Sequence, residues 1–347
     1  MDLKEIKDKE LWNSFVITAN PEFYSFLQSW EWWELQSQEG KKIVRLWIYK
    51  WNLLIWIMLV IKNYAKRGNY YFIPHWPLLD WSIKEWISSI LNQLKSMARS
   101  DKMSFIRFNS TLQNLKINKD FFDRNWFINA PMHEHAEDTH LLSLLPSEEE
   151  LLQNIKKKDR YYINRAIKEW VKITISNSDK QIEKLIDMHY THSKRENWKN
   201  KYSAFKKSFI YWLYKIFWKN ISTVSASYNW KIESILMTIK FWKTCVYYIA
   251  ASDIINSKFS PNYLCQWEAI KNAKREWCTI YNFWWVSPDE NPKHPIAWVS
   301  KFKRKFSWFD YSLIHAQDLP LNNKYRLNYL VETFRRIKRW YYYKKPE

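Results

Sequence analysis

Phe302-Lys303-Arg304-Lys305-Phe306 is the run of residues in this sequence best equipped for chemistry. It sets three cations between two aromatic rings, and it follows Tyr281-Asn282-Phe283-Trp284-Trp285-Val286 and Ala297-Trp298-Val299-Ser300-Lys301. A lysine can stabilise a developing negative charge, and adjacent cations suit contact with phosphate oxygens. On that ground Arg304 and Lys305 are candidate nucleic-acid contacts, although a solvated charge cluster is the plainer reading of the same run. No Ser-His-Asp or Cys-His arrangement is apparent. His133, Glu134, His135 and His140 crowd one segment, but their spacing fits no standard zinc pattern, so no metal is expected. A coenzyme A binder would need a glycine-rich turn ahead of a helix to cradle pyrophosphate, and none is found.

Length and charge narrow the field. The 347 residues carry 55 Lys and Arg against 35 Asp and Glu, a net charge of +20. That excess favours a polyanionic partner, whether RNA, DNA or an anionic membrane face, although a lysine-rich proteome would leave the same imprint. Cys245, Cys265 and Cys278 show no metal spacing and point to a reducing compartment. The longest apolar run, Leu53 to Ile61, is far short of the roughly 20 residues that cross a bilayer. No transmembrane segment or secretory leader is read, and a cytoplasmic location is expected.

The elements that must position the cationic run follow from hydrophobic periodicity. Helical spacing covers 2–16 and 21–39, ending near Gly40. Strands are expected at 43–49, 53–62 and 70–74, then a helix over 82–99 and a strand at 103–109. The same order returns with strands at 223–228, 232–241 and 244–250, a helix over 261–276 and a strand at 279–283. A complete α/β unit that repeats argues for two like domains, and helical segments at 2–39 and 180–217 precede the two copies. Between them, 138–144 reads as a strand, and Ser147 with Glu150 forms a capping box for the next helix. The domain boundary is placed near Pro146, and a basic helix is expected from Asn323 to Lys345.

The tryptophans do not fit this scheme. There are 24 of them and only two glycines, whereas ordinary usage of roughly 7% predicts about 24 glycines in a chain of this length. Trp51, Trp170, Trp230 and Trp277 stand where a helix or strand should stop, and Asn229-Trp230 occupies the place of an Asn-Gly hairpin turn. Some bacterial lineages read UGA as glycine. Most of these tryptophans are therefore expected to be glycine in the living protein, with positive φ at Trp230, Trp284 and Trp298. The plainer alternative is an aromatic surface that stacks bases or sugars.

Read with glycine at those positions, residues 72–80 become Phe-Ile-Pro-His-Gly-Pro-Leu-Leu-Asp and 160–171 end in Lys-Glu-Gly-Val. Residues 281–286 become Tyr-Asn-Phe-Gly-Gly-Val, and 298–308 become Gly-Val-Ser-Lys-Phe-Lys-Arg-Lys-Phe-Ser-Gly. From about Gln28 to Trp308 the chain resembles the Fem family of peptidoglycan-bridge aminoacyltransferases. The resemblance implies an α/β (α+β) fold of two tandem GNAT-like (acyl-CoA N-acyltransferase-like) domains. Domain 1 would cover 1–145, with 309–347 packing back on it, and domain 2 would cover 146–308. The segment from Asp187 to Lys219 is too short for the helical-hairpin arm of some members.

The implied reaction moves an amino acid from aminoacyl-tRNA to the side-chain amine of a stem peptide. The acceptor would be a UDP-linked or lipid-linked muropeptide precursor, met in the cytoplasm or by peripheral association with the inner membrane face. Aminoacyl-tRNA is then a co-substrate, and no cofactor is needed. Phe302 and Lys303 match the family's Phe-Lys motif, whose lysine is implicated in handling the tRNA acceptor end and stabilising charge. Arg195 matches an arginine that can hold precursor phosphates, a task suited to a bidentate guanidinium. Asp80 is a candidate to hold the incoming amine, or else the N-cap of the helix beginning near Ser82. Tyr248 and Ser252 match a segment that lines the cleft, although core packing serves equally for Tyr248. Asn282 departs from the usual Asp, Gln36 stands about where some members have a substrate-binding lysine, and one glycine-like residue at 308 replaces a pair.

Two other readings stay open. A GNAT-like N-acyltransferase could act on another amine, which transfer assays with charged tRNA would separate from the first. A non-enzymatic RNA-binding protein could use the basic and aromatic surface, and it requires the tryptophans to be real.

Overall fold

Runs rich in apolar and β-branched residues build the strands, and amphipathic segments, several ended by left-handed residues, build the helices. The computed structural model describes residues 2–5, 7–19, 25–50, 53–76, 87–193, 205–253, 259–306 and 308–347. In chain order the first elements are β1 (Asp2–Glu5), α1 (Lys9–Ala19), α2 (Trp30–Gln38), β2 (Lys42–Lys50) and β3 (Leu53–Asn63). Next come β4 (Tyr70–Ile73), α3 (Ile87–Ser100), β5 (Phe105–Phe108), α4 (Lys116–Arg124), β6 (Ile128–Asn129) and β7 (Asp138–Ser143). After α5 (Glu148–Asn154) and α6 (Lys157–Lys168) lie β8 (Lys172–Ser176), α7 (Asp179–Ser193) and α8 (Lys207–Ile216). The second repeat is β9 (Ile221–Tyr228), β10 (Lys231–Phe241), β11 (Thr244–Ser252), α9 (Pro261–Arg275) and β12 (Ile280–Trp285). The chain finishes with α10 (Ala297–Lys303), β13 (Phe309–Ser312), β14 (Gln317–Pro320) and α11 (Lys324–Lys338).

These elements form two compact units. One comprises Met1–Asp138, Lys293–Pro295 and Tyr311–Glu347, the other Thr139–Pro292 and Ile296–Asp310. The first holds a sheet ordered β1-β2-β3-β4-β5-β14-β6. The second, read from β8, is ordered β8-β9-β10-β11-β12-β7-β13. In each, an antiparallel meander is followed by one parallel pair, β4 with β5 or β11 with β12, and the helix between those strands makes the crossover. The sixth place is filled by β14 in one unit and by β7 in the other. The division falls after Asp138, earlier than the boundary near Pro146, because β7 pairs antiparallel with β12 from Ile280↔Ser143 to Asn282↔Leu141.

The C-terminal segment is built into the first unit. Arg107 on β5 is fully buried, and its Nε and Nη2 both donate to Asp318 of β14 at 2.8 Å. Nη2 also donates to Glu332 of α11 at 2.7 Å, and Tyr325 Oη donates to Asp318 at 2.8 Å. Opposite charges and the hydrogen bonds from Nε and Nη2 offset the desolvation of this buried guanidinium. Two expectations are corrected here. Residues 2–5 form a strand along β2 instead of a helix. The basic helix stops at Lys338 instead of Lys345, because Trp340 turns the backbone with φ 57°, and the tail returns so that Lys116 N–H donates to Glu347 O at 2.8 Å.

Backbone angles sort the tryptophans into two classes. Trp126, Trp170, Trp277 and Trp340 each follow a helix, with φ of 64°, 58°, 63° and 57°. At Trp170 the N–H donates to Ile167 O at 3.1 Å and Val171 N–H donates to Ala166 O at 3.0 Å. Gly40, with φ 79°, closes α2 in the same way, its N–H donating to Ser37 O and the Lys41 N–H to Gln36 O. This is the Schellman turn, in which glycine avoids the clash between Cβ and the carbonyl. Asn229 and Trp230, with φ of 47° and 65°, form the β9–β10 turn, where both central residues must be left-handed. The Trp230 ring is 92% exposed and the Trp277 ring 87%. Trp12, Trp33 and Trp76, by contrast, are fully buried core residues. Trp298 departs from expectation: it is exposed but lies within α10, and its φ is not positive.

Candidate active site

The second unit opens its sheet at one point. The parallel register of β11 and β12 runs only from Thr244↔Ile280 to Val246↔Asn282, although β11 continues to Ser252 and β12 to Trp285. In the first unit the corresponding pair stays closed along β4, and Asn109 N–H still donates to Ile73 O at 3.1 Å. Beside the opening, β12 carries one extra residue against β7, so its register shifts between Asn282 and Trp285. Trp284 takes φ 61° in this bulge. Bulges re-aim the residues that follow them and accept a left-handed glycine most easily.

Asn282 fixes the bulge. Its Oδ1 accepts from Trp284 N–H at 2.7 Å and also from Thr139 Oγ1. The position uses a side-chain oxygen as an acceptor, which Asn supplies as an Asp would, so the departure noted in the sequence leaves this local geometry intact.

Lys303, the last residue of α10, meets both strands of the opening. Its side chain is buried, Nζ donates to Trp285 O at 2.7 Å, and the ammonium lies 5.5 Å from the centre of the Tyr247 ring. Burial without a carboxylate partner draws its pKa down to about 7. Ser300 holds α10 in place: its Oγ accepts from Ser287 N–H at 2.7 Å and donates to Ile296 O at 2.8 Å. The amine can thus be neutral or charged near neutral pH, which suits a group that moves a proton and stabilises an oxyanion.

Arg304 and Lys305 are engaged internally. Arg304 donates to Asp310 at 2.9 Å and to Ser287 O at 2.5 Å, and His140 Nδ1 lies 2.8 Å from the other oxygen of Asp310. Burial raises the Asp310 pKa, but hydrogen bonds from His140 and Arg304 outweigh it and hold the carboxyl below its usual range. Lys305 pairs with buried Asp159 at 3.2 Å and bonds to Tyr263 Oη. Phe302 packs edge-on to Tyr263 and Phe306, with ring centres 5.3 and 5.4 Å away. It packs α10 against the core of the second unit.

The remaining expected site residues scatter. Tyr248 packs against Phe205 and Trp284, on the opposite side of β11 from Tyr247. Ser252 bonds to Ser234 Oγ at 2.8 Å, about 16 Å along β11 from Tyr247. Asp80 and Arg195 lie outside the described residues. Gln36 is buried in α2. Tyr247 was missed by the sequence: alternation puts it on the other face of β11 from Tyr248, but only the structure brings Lys303 to it. Asp159 and Ser287 were missed because Lys305 and Arg304 are remote from them in the chain, and Asp310 because, although only six residues from Arg304, it shares no motif with it and its other partner, His140, is distant.

In the first unit, His133, Glu137 and His315 could offer ligand atoms within 4.8 Å of one another to a cation. Hydrogen bonds already account for this set. His315 Nδ1 meets Glu137 Oε2 at 2.7 Å, its Nε2 meets Ala130 O at 2.7 Å, and Glu137 Oε1 accepts from Ala316 N–H at 2.7 Å. Of the four residues singled out in the sequence, only His133 belongs to it.

Comparisons with known proteins agree with this architecture. A profile described as the FemAB family matches residues 8–129 and 219–333. No curated protein sequence matches the chain. Among solved structures, FemX superposes with a TM-score of 0.79 at 14% identity, over 96% of this chain and 100% of that one. The L-PGS structure from Bacillus licheniformis gives 0.57 at 12% identity, covering 96% and 98%. A tandem GNAT protein from the clavulanic acid biosynthesis pathway gives 0.57 at 8%, covering 92% and 99%. The shared fold is the tandem GNAT-like pair that the family resemblance implied, and its two halves are the like domains read from the internal repeat.

Proposed function

The chain belongs to the FemAB family, and on that premise we propose that it is an aminoacyltransferase joining an amino acid from aminoacyl-tRNA to a peptidoglycan-precursor stem peptide. The observation that carries the reading is the buried amine of Lys303, held 2.7 Å from Trp285 O where β11 and β12 part. The donor ester is already reactive, so no nucleophilic side chain is required.

In the reaction, the acceptor amine attacks the ester carbonyl and a C–N bond forms. Neutral Lys303 takes the proton that the amine loses. The resulting ammonium stabilises the oxyanion, then returns the proton to the ribose oxygen as the ester C–O bond breaks. The products are an amide and a free tRNA hydroxyl, and Lys303 ends as it began. Asn282 and the bulge aim Trp285 O at the amine. Arg304 and Lys305 organise the loop, and either reaches a tRNA phosphate only by exchanging Asp310 or Asp159 for it. Arg195 as holder of precursor phosphates, Asp80 as holder of the acceptor amine, and Tyr248 and Ser252 as flanking positions complete the proposal. The donor places the reaction in the cytoplasm.

The test is transfer of labelled amino acid from charged tRNA onto nucleotide-linked and lipid-linked muropeptides. Transfer that Lys303→Met abolishes supports the reading, and no transfer from any charged tRNA ends it.

A further inference from the structure

Helix α11 has two very different faces. Inward, Tyr325 and Asn328 are buried, and Glu332 is bound to Arg107. The tail beyond it is tied down as well, with Tyr343 stacked 3.7 Å from His315 and Asn114 Nδ2 donating to Lys345 O at 3.0 Å. The helix is therefore a fixed part of the first unit. Outward, Leu327, Leu330, Phe334 and Ile337 are 58%, 67%, 67% and 66% exposed. Their steps of three, four and three residues place them on one stripe of the helix.

Exposed Lys324, Arg326, Arg335 and Lys338 flank that stripe, and the helix's one acid, Glu332, is turned inward to Arg107. A continuous stripe of large apolar side chains bordered by cations matches the boundary between acyl chains and anionic headgroups. RNA would engage the cations but has no use for the leucine, phenylalanine and isoleucine side chains between them. None of these stripe residues is a tryptophan, so the feature does not depend on how UGA is read.

We propose that the outward face of α11 docks on an anionic lipid bilayer, lying in its plane with the apolar stripe in the acyl boundary and the cations among the headgroups. Among the described residues no helix is long and apolar enough to cross a membrane, so the contact is peripheral. The docking surface stands independently of the transfer reaction. Combined with that reaction, on whose reading this step rests, it commits the acceptor to the lipid-linked form.

Flotation of the full chain with phosphatidylglycerol-containing and pure phosphatidylcholine vesicles tests the surface. Binding is expected to the anionic vesicles, to weaken with salt, and to fall about tenfold or more in Leu330→Asp/Phe334→Asp. These side chains are exposed, so the variant should keep its melting temperature, and circular dichroism checks this. Unchanged flotation of the variant overturns the proposal. So does a concentration-dependent dimer that it abolishes, since the occupant would then be a second copy. Binding of RNA that the charge variant Arg335→Glu/Lys338→Glu removes and the apolar variant leaves intact, without vesicle binding, also overturns it. Transfer assays separate the two readings. Vesicle binding without transfer to any acceptor leaves the surface standing and ends the enzymatic reading. Transfer to a nucleotide-linked but not a lipid-linked acceptor overturns the commitment to lipid.

Discussion

Asn282 holds Trp284 by its backbone: the carboxamide oxygen accepts from the Trp284 N–H at 2.7 Å, inside a bulge that turns Trp285 O toward Lys303. The relationship is local, and it falls just where the pairing of β11 with β12 ends. Asn282→Asp preserves the acceptor and is expected to retain activity within about threefold, whereas Asn282→Leu removes it and leaves the part-buried Trp284 N–H without its acceptor at a cost of ~1 kcal/mol. Transfer rates together with denaturant unfolding distinguish the two substitutions. Equal losses for both would show that the oxygen is not what matters.

Lys303→Met should lower transfer by about a hundredfold or more while raising stability by ~1–4 kcal/mol, since a buried, unpaired charge is replaced by a hydrophobe of similar length. The sign of the pH dependence follows from the depressed value of about 7. Between pH 7 and the ordinary lysine value of 10.5 the unfolded chain binds more protons than the folded one, so the stability of the parent protein rises with pH across that window. Below pH 7 the burial penalty is fully present. The advantage of Lys303→Met is therefore greatest at neutral and acid pH and shrinks toward alkaline pH. Transfer itself should rise through about pH 7 as the neutral amine becomes available. A parallel pH dependence of stability in parent and variant would contradict this account.

Asp318→Ala strands the buried Arg107 guanidinium and is expected to cost ~3–5 kcal/mol, whereas the double replacement Arg107→Met/Asp318→Leu should recover much of that loss. Glu332→Ala removes only the third partner and costs less. Equilibrium unfolding in urea measures all three.

Substituting glycine at Trp126, Trp170, Trp277 and Trp340 should stabilise the chain by ~1 kcal/mol at each site, because each leaves a left-handed backbone without a Cβ. Glycine at Trp12 or Trp33 should instead destabilise by ~3–5 kcal/mol through loss of a fully buried ring. Peptide mass spectrometry of protein from its native source bears on the same point: we propose that the first four positions read as glycine. UGG codons and intact tryptophan there would end that proposal.

Much of the fold is legible in the sequence because strands such as β3, β10 and β11 are long and strongly apolar, and because the same unit occurs twice. β8 is not, since Lys172–Ser176 is a short, mostly exposed edge strand whose alternation rests on Ile173 and Ile175 alone. β1 was hidden for a similar reason, being short and charged. Lys303 could be picked out by its neighbours, and its burial explains why it differs from Arg304 and Lys305 beside it. The pairing of those two with Asp310 and Asp159 was not legible, because nothing local links residue 305 to residue 159. The bulge was hidden by Trp284, where a glycine would have marked it.

The sheet position taken by β14 has a consequence for synthesis. Strand β5 and its Arg107 leave the ribosome long before Gln317–Pro320, so the first sheet must wait with an open edge and an unpaired guanidinium. The second sheet, whose β7 precedes the rest of it, has that strand ready when β12 emerges. The usual order of vectorial folding, N-terminal part first, is therefore inverted here. The half made first is the half completed last, and it is the one that needs protection from aggregation in the interval.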